Sequence, residues 1–127
     1  MAKILWVGLG GFIGSIGRYL LSEYVQHLVK GTVFPYGTLA VNLIGCLGIG
    51  FLSQWVGTRG FLSPEIRLFV FVGLLGGFTT FSTFSYETMN LWQAGDSVAA
   101  LANVGVHVVL GLGAAWLGHA LAYGIWG

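Results

Sequence analysis

The segment GGFTTFSTFSYE, residues 76–87, holds residue types that could bind a small ion inside an otherwise apolar stretch. Hydroxyl side chains alternate with phenylalanines, and each hydroxyl can donate a hydrogen bond to an anion. The edge of a phenylalanine ring carries the positive part of its quadrupole, so an anion can approach the edge, whereas a cation prefers the face. The pattern therefore favours contact with an anion.

Helical spacing sorts these side chains into tracks. If a helix restarts after Gly77, Phe81 and Phe84 lie roughly 60° apart at 100° per residue and form one aromatic stripe. Phe78 lies off the stripe, and we expect it to pack. Hydroxyl tracks flank the stripe, with Thr80, Thr83 and Glu87 on one side and Ser82 and Ser85 on the other. The alternative is structural, because stacked aromatics pack and Ser or Thr can bond carbonyls one turn earlier.

Two adjacent glycines, Gly76 and Gly77, open the segment. Glycine costs about 1 kcal/mol in a helix interior, so the pair predicts a helix break at this point. In lipid, a break is tolerated only where the freed backbone groups meet protein, water or an ion. Carbonyls at the end of a half-helix can bind a cation. The sequence thus predicts a broken helix whose freed backbone carbonyls are able to bind a cation.

Asn42 is a second polar residue in an apolar stretch. It follows Thr38 by four residues and precedes Gly45 by three, so a hydroxyl, an amide and a gap share one helix face. A buried amide in lipid must be hydrogen-bonded. Two roles stay open: Asn42 bonds a neighbouring helix, or it presents its NH2 to a passing anion.

Asn103 and His107 stand four residues apart near the C-terminus, again on one face. The two side chains either bond a neighbouring helix or line a pore. His27 and His119 have no metal-like spacing to His107, which argues against a bound transition metal.

Membrane helices must position these residues. The 127-residue chain is 56% hydrophobic and 7% charged, whereas about a quarter of the residues in a soluble domain are charged. Four nearly charge-free stretches are long enough to cross a bilayer. We predict a single-domain, all-α membrane protein whose third helix is broken near its middle. The expected spans cover about 4–26, 36–56, 64–94 and 97–125.

Arg18 interrupts the first of these stretches. A charge inside a span marks function or a structural pair, unless it lies near the helix end and snorkels to the headgroups. Glu87 is the natural candidate for its partner.

The flanking charges leave the orientation open. The net charge is +1, with no basic patch for nucleic acid. Lys3, Arg59 and Arg67 fall on one side of the membrane and Lys30 on the other, which is a weak bias by the positive-inside rule. We expect the chain to insert in both orientations. No nucleophile with an adjacent base stands out, and no enzymatic activity is expected.

The motifs GGFIGSIGRYLLS, GTLAVNLIG and GGFTTFSTFSYE, in the first three spans, resemble those of the Fluc fluoride channels, also called the CrcB family. The resemblance covers essentially the whole chain and implies a fluoride-selective channel in a bacterial membrane. It further implies an antiparallel, dual-topology homodimer of four-span subunits with two fluoride pores, and passive export that lowers cytoplasmic fluoride.

The resemblance also implies roles for individual residues. Phe81 and Phe84 match the pore phenylalanines, and Asn42 matches the pore asparagine. The backbone carbonyls of Gly76 and Thr79 match a central structural sodium site shared by both subunits. The remaining matches are a hydroxyl track, Ser82 and Thr83, and the charged residues near the pore mouth and its interior, Arg18 and Glu87. Thr38 and His107 join the set of expected pore residues, although the family is more variable in the fourth span, where His107 and Asn103 lie.

Two alternatives remain from the residues themselves. A small proton-coupled multidrug exporter has the same size and dual topology, but it needs a carboxylate deep in the first span, and Glu23 lies only at the end of that span. A membrane assembly subunit without transport activity would use its polar residues for helix contacts alone.

Overall fold

The computed structural model describes all 127 residues and consists of helices joined by short connections. Four helical segments are long and apolar enough to cross a membrane, which confirms the expected all-α architecture. Three are single helices: α1 (Ala2–Leu28), α2 (Tyr36–Arg59) and α6 (Ser97–Trp126). The third, Pro64–Gln93, is composite and contains α3 (Pro64–Arg67), a π-helical stretch (Leu68–Leu75), α4 (Gly76–Phe78) and α5 (Phe81–Gln93).

Local sequence signals set the helix starts. Ser63 caps α3 because its hydroxyl accepts a hydrogen bond from the Ile66 N–H at 3.3 Å, and Pro64 occupies the first turn. Asp96 caps α6 in the same way, with its carboxylate accepting from the Ala99 N–H at 3.0 Å. Gly60 ends α2 in a left-handed conformation with φ 68°.

The third span divides into two arms. The first arm, residues 64–78, and the second arm, α5, are separated by the extended backbone of Thr79 and Thr80, with ψ angles of 156° and 120°. The expected break is therefore present, but its predicted position at the glycine pair is wrong. Gly76 is helical, with φ −64° and ψ −37°, and the helix continues through Phe78.

Close packing against α1 explains why the glycine pair stays helical. A Cβ on Gly77 would lie 2.7 Å from the Gly11 carbonyl oxygen, and a Cβ on Gly73 would lie 2.7 Å from that of Val7. On the α1 side, a Cβ on Gly14 would collide with the Leu74 carbonyl. Small residues let helices approach closely in lipid, where packing drives association. These glycines allow α1 and the first arm to pack closely, and the break falls at Thr79 and Thr80.

The break redirects the third span from one neighbour to another. The first arm packs mainly on α1, whereas α5 packs on α6 and touches α2 but makes no contact with α1. α2 and α6 form the other large interface, where a Cβ on Gly118 would collide with the Leu47 carbonyl. The bundle thus contains two helix pairs, α1 with the first arm and α2 with α6. Contacts between α1 and α2 join the pairs, and so does the third span, which changes its neighbouring helix at the break.

Few side chains are buried in this single chain. Val41 and Asn103 are the largest side chains with essentially no exposed surface, while many large apolar residues face outward. Such an apolar surface suits lipid or another membrane helix rather than water.

Candidate functional site

Asn42 holds the helix break from the neighbouring helix. Its Nδ2 donates to the Thr80 carbonyl at 3.3 Å, and its Oδ1 accepts from the Thr80 N–H at 3.0 Å. One side-chain amide thus satisfies both backbone groups of Thr80 at the break. Of the two roles left open for Asn42, the bond to a neighbouring span is present, and contact with an anion stays a prediction. Because Nδ2 carries two hydrogens, one donor remains for another acceptor.

Thr80 starts the second arm with a cluster of hydroxyls. Its Oγ1 accepts from the Thr83 N–H at 3.2 Å and donates to the Thr83 Oγ1 at 3.1 Å. The Ser82 Oγ lies 3.2 Å from the same oxygen. Ser85 behaves differently, since its hydroxyl donates back to the Phe81 carbonyl at 2.9 Å. The hydroxyls of Thr80, Ser82 and Thr83 therefore gather at the N-terminus of α5.

The two phenylalanines lie side by side on α5. The ring centroids of Phe81 and Phe84 are 5.5 Å apart at an interplanar angle of 44°. Phe81 is 79% exposed, whereas Phe84 is half-buried against the His107 ring, with centroids 4.5 Å apart. Phe78 sits elsewhere: a Cβ on Gly17 or on Gly45 would lie 3.6 Å from its ring, so it packs toward both α1 and α2.

These groups converge on one cavity of about 430 Å³. No lysine, arginine or carboxylate lines it, so its polar groups are uncharged amide, hydroxyl and imidazole groups and backbone. The lining residues from the predicted site are Asn42, Gly76, Thr79, Phe81, Phe84 and His107, together with Thr80 and Cys46. Ser82 and Thr83 contact Thr80 but do not line the cavity themselves.

A polar network links α6 to the second arm beside this cavity. Asn103 is fully buried, and its Nδ2 donates to the Thr88 Oγ1 at 2.9 Å, while Thr88 donates to the Phe84 carbonyl at 2.7 Å. The His107 Nδ1 lies 2.9 Å from the Asn103 carbonyl oxygen. Sequence reasoning missed Thr88. The signal was its position one turn after Phe84, where a buried amide on the next helix would need a partner.

Glu87 and Thr38 belong to a second cavity of about 430 Å³. The Thr38 hydroxyl donates to the Glu87 Oε1 at 2.7 Å, and the Glu87 Oε2 is buried without a partner. Glu23 and Asp96 also line this space. The second cavity is therefore rich in carboxylates, unlike the first.

Arg18 and Glu87, its candidate partner, form no ion pair within this chain. Arg18 is half-buried on α1, and the only close approach of a basic side chain to a carboxylate is that of the His27 Nε2 to the Glu23 Oε2, at 3.9 Å. The reason is topological: Glu87 lies on α5, which the break has carried away from α1 to α6. Glu87 takes its hydrogen bond from Thr38 on α2 instead.

The break offers backbone oxygen to a cation. Thr79 donates its N–H and its hydroxyl to the Leu75 carbonyl, both at 3.0 Å, but no hydrogen bond reaches the Thr79 carbonyl oxygen. Gly76 and Thr79 both line the first cavity. An unpaired carbonyl is a hard oxygen ligand of the kind that alkali and alkaline-earth ions accept, so these residues fit a sodium site.

Comparison with known proteins identifies the family. The family described as "CrcB-like protein, Camphor Resistance (CrcB)" matches residues 5–119. The "Fluoride-specific ion channel FluC" of Opitutus terrae is 46% identical, covering 98% of this chain and 96% of the relative. That of Citrifermentans bemidjiense is 43% identical, covering 96% and 98% respectively. That of Clostridium novyi is 44% identical, covering 91% and 89%.

The family match covers residues 5–119, a range that contains the break, Asn42, both phenylalanines and His107. Four apolar helices and this family together identify a multi-pass protein of the bacterial inner membrane. The chain is a member of the CrcB family, whose curated relatives are named fluoride-specific ion channels.

Proposed function

We propose that this protein is a fluoride-selective channel that lets fluoride leave the cell passively and so lowers cytoplasmic fluoride. The observation that carries the proposal is the first cavity, where the spare donor of Asn42 and two phenylalanine rings meet without a single charged side chain. Relatives at 43–46% identity are named fluoride-specific ion channels. They favour conduction over a multidrug exporter or an assembly subunit, and they agree with the absence of an enzymatic role.

Fluoride is small and strongly hydrated, so a selective path must replace its water with hydrogen-bond donors. Asn42 supplies an amide hydrogen, and Ser82 and Thr83 supply hydroxyls at the start of α5. The edges of Phe81 and Phe84 add weak positive potential without a formal charge. Conduction requires binding that is favourable enough for entry and weak enough for release. A cavity without a fixed cation meets both conditions.

The charged residues act at a distance from this cavity. Glu87 and Thr38 share the second cavity, and Arg18 lies on α1, outside both. We assign Arg18 and Glu87 to the approaches of the pore, where a charge can attract or screen ions without trapping them in the path.

A second copy of the chain completes the pore. Phe81 is 79% exposed in the single chain, beside a cavity that has mostly apolar walls and opens outward. An exposed aromatic ring beside a polar helix break calls for a protein partner in lipid, because irregular backbone is tolerated there only when it is covered. The nearly balanced flanking charge permits opposite insertion of two copies. We therefore assign an antiparallel homodimer with two pores.

Sodium has a structural role in this dimer. The Gly76 and Thr79 carbonyls of both copies would hold the ion where the two breaks face each other, and the ion would neutralise backbone oxygens that no donor reaches. The bound cation would also add positive potential near the fluoride path without placing a charged side chain in it.

A fluoride-release assay tests the proposed function. Purified protein in liposomes with a potassium gradient should release fluoride, followed with a fluoride electrode, only after valinomycin is added. Electrogenic movement of one ion requires a compensating charge pathway, which valinomycin provides. Release without valinomycin, or equal release of chloride, would show that the protein is not a passive fluoride-selective channel.

Separate measurements test the dimer and the ion. A single cysteine is introduced at one end of a span and treated with a thiol reagent that does not cross the membrane. If the chain inserts in both orientations, part of the protein should react from each side of the membrane. An ion-replacement experiment in crystals should place a cation between the Thr79 carbonyls of two copies. A dimer whose breaks close on each other without a cation would refute the sodium site.

A further inference from the structure

His107, which lines the first cavity, has one ring nitrogen without a hydrogen-bond partner. The Asn103 carbonyl can only accept a hydrogen bond, so the His107 Nδ1 at 2.9 Å must carry the hydrogen. In neutral imidazole the other nitrogen, Nε2, is then a bare acceptor. Nε2 is buried and has no hydrogen-bond partner. Neutral His107 therefore offers a lone pair, which repels an anion.

Protonation would reverse that property without breaking any contact. His107 would keep the Nδ1 donation to Asn103 and gain an Nε2–H donor that nothing in the chain occupies. The Phe84 ring lies 4.5 Å away, centroid to centroid, where it can stabilise a positive imidazolium through its face. An anion in the first cavity would supply the opposite charge, because His107 lines that cavity with Asn42 and Phe81.

We propose that fluoride passage is coupled to the protonation of His107, so that conduction rises as pH falls. The inference rests on the proposed function, because it needs fluoride in the first cavity. The coupling is reciprocal: fluoride in the cavity favours the proton on Nε2, and the proton favours fluoride. Conduction would then increase under the acid conditions in which extracellular fluoride enters cells as HF.

Other ionisable groups are few around this ring. The Cys46 thiol, on α2, is the only other titratable side chain that lines the first cavity. Glu87, on α5, follows Phe84 by three residues, but it lines the second cavity and takes its hydrogen bond from Thr38. No lysine, arginine or aspartate lines the first cavity. Glu87 and the Cys46 thiol are thus the two rival sources of a pH response on the helices packed around His107.

Electrical recording isolates the effect. Fluoride current in planar bilayers excludes a contribution from HF, which is neutral and carries no current. Wild-type current at symmetric fluoride should rise about fivefold as the pH falls from about 8 to about 5, because protonation of His107 increases over that range. His119, exposed elsewhere on α6, provides the matched control, and His119→Gln should keep the full response.

Two substitutions separate the nitrogens of His107. His107→Gln places a permanent N–H donor near the position of Nε2, so its current at about pH 8 should match the wild-type current at about pH 5. His107→Asn retains a donor near Nδ1 only, so its current should stay at the low wild-type value at both pH values. Both variants should lose the pH response, and dimer elution in detergent checks their folding.

The outcomes are distinct. A wild-type current that does not change with pH would overturn the inference, as would a pH response that survives in either His107 variant. A response that Glu87→Gln abolishes and His107→Gln leaves intact would assign the proton to Glu87 instead. The absence of fluoride current at every pH would refute the proposed function itself.

Discussion

The two arms belong to one span that is long and apolar enough to cross a membrane, but they are held in opposite ways. The first arm contacts α1 through glycines, with backbone against backbone at Gly73 and Gly77. The second arm is held by side chains, through Thr88 to Asn103 and through Phe84 to His107. The extended residues Thr79 and Thr80 separate the arm that is held by backbone packing from the arm that is held by side chains.

The contrast shows how a thin bundle accommodates a polar path. Lipid supplies no hydrophobic force between helices, so the stable contact is made by close packing of small residues. Once the first arm is anchored in this way, the second arm can carry hydroxyls and a cavity. Three carboxylates, which would repel an anion, line the second cavity with Thr38: Glu23, Glu87 and Asp96. The predictions below test this separation between an anchoring arm and a conducting arm.

Substitution in the anchoring arm's contact should have the largest effect. In Gly14→Val, the added side chain would collide with the Leu74 carbonyl and approach the Phe78 nitrogen, and both are backbone atoms. Overpacking costs about 1–3 kcal/mol where neighbours can move, and more is expected against fixed backbone. We expect no monodisperse protein by size-exclusion chromatography in detergent.

Gly8→Val is the matched control in the same helix, because a Cβ there meets nothing within 4 Å. It should elute as wild type does. Wild-type elution of Gly14→Val would show that the glycine contact does not anchor the first arm.

The junction between the arms should be the next most sensitive position. Asn42→Ala removes both hydrogen bonds to Thr80. Each unpaired buried group costs about 1–3 kcal/mol, so thermal stability in detergent should fall and fluoride flux in liposomes should drop by about tenfold or more.

Asn42→Asp distinguishes support of the break from contact with the anion. Aspartate can still accept from the Thr80 N–H, but it offers no donor to the Thr80 carbonyl or to fluoride. It should keep more stability than Asn42→Ala and conduct no better. A fast Asn42→Asp channel would show that the asparagine does not donate to fluoride.

On the conducting arm, replacing either aromatic ring should slow fluoride flux while the dimer stays intact. Phe81→Ile and Phe84→Ile each remove a ring edge, and aromatic contacts of this kind contribute about 0.5–1.5 kcal/mol, or roughly two- to tenfold in rate. Flux in liposomes and elution in detergent give the two readouts. Unchanged flux in both variants would show that the ring edges do not contribute to fluoride conduction.

The smallest effect is expected at Phe78, the last residue of the anchoring arm. Its ring packs near Gly17 and Gly45, away from Phe81 and Phe84. Phe78→Leu should lower stability by about 1 kcal/mol through imperfect packing and leave fluoride flux and chloride rejection unchanged. Loss of selectivity in this variant would place Phe78 in the fluoride path. The first arm would then take part in conduction as well as in anchoring.

Much of the architecture was predictable from local sequence because it depends on local physics. Four apolar stretches predict four helices, which the structure confirms, and Ser63, Pro64 and Asp96 are local signals at two of the helix starts. The break was predicted two or three residues too early. Intrinsic glycine propensity favoured Gly76 and Gly77, but contact with α1 keeps these glycines helical.

The polar partners were harder to predict because they lie far apart in the chain. Asn42 could bond many groups, and only the fold brings the Thr80 backbone to it across 38 residues. Arg18 and Glu87 appeared to be a natural pair by charge alone, yet they belong to helices that do not touch. Opposite charge gives no information about which helices are neighbours.

By itself, the sequence determined that this chain lies in a membrane as four helices. A chain with so few charges cannot be solvated otherwise, and a backbone in lipid must satisfy its own hydrogen bonds. Tertiary structure alone decided where the third span breaks, that Thr38 rather than Arg18 bonds Glu87, and that His107 stacks on Phe84. These outcomes depend on which helix faces meet, and helix faces in lipid are matched by close packing over the whole bundle rather than by any local motif.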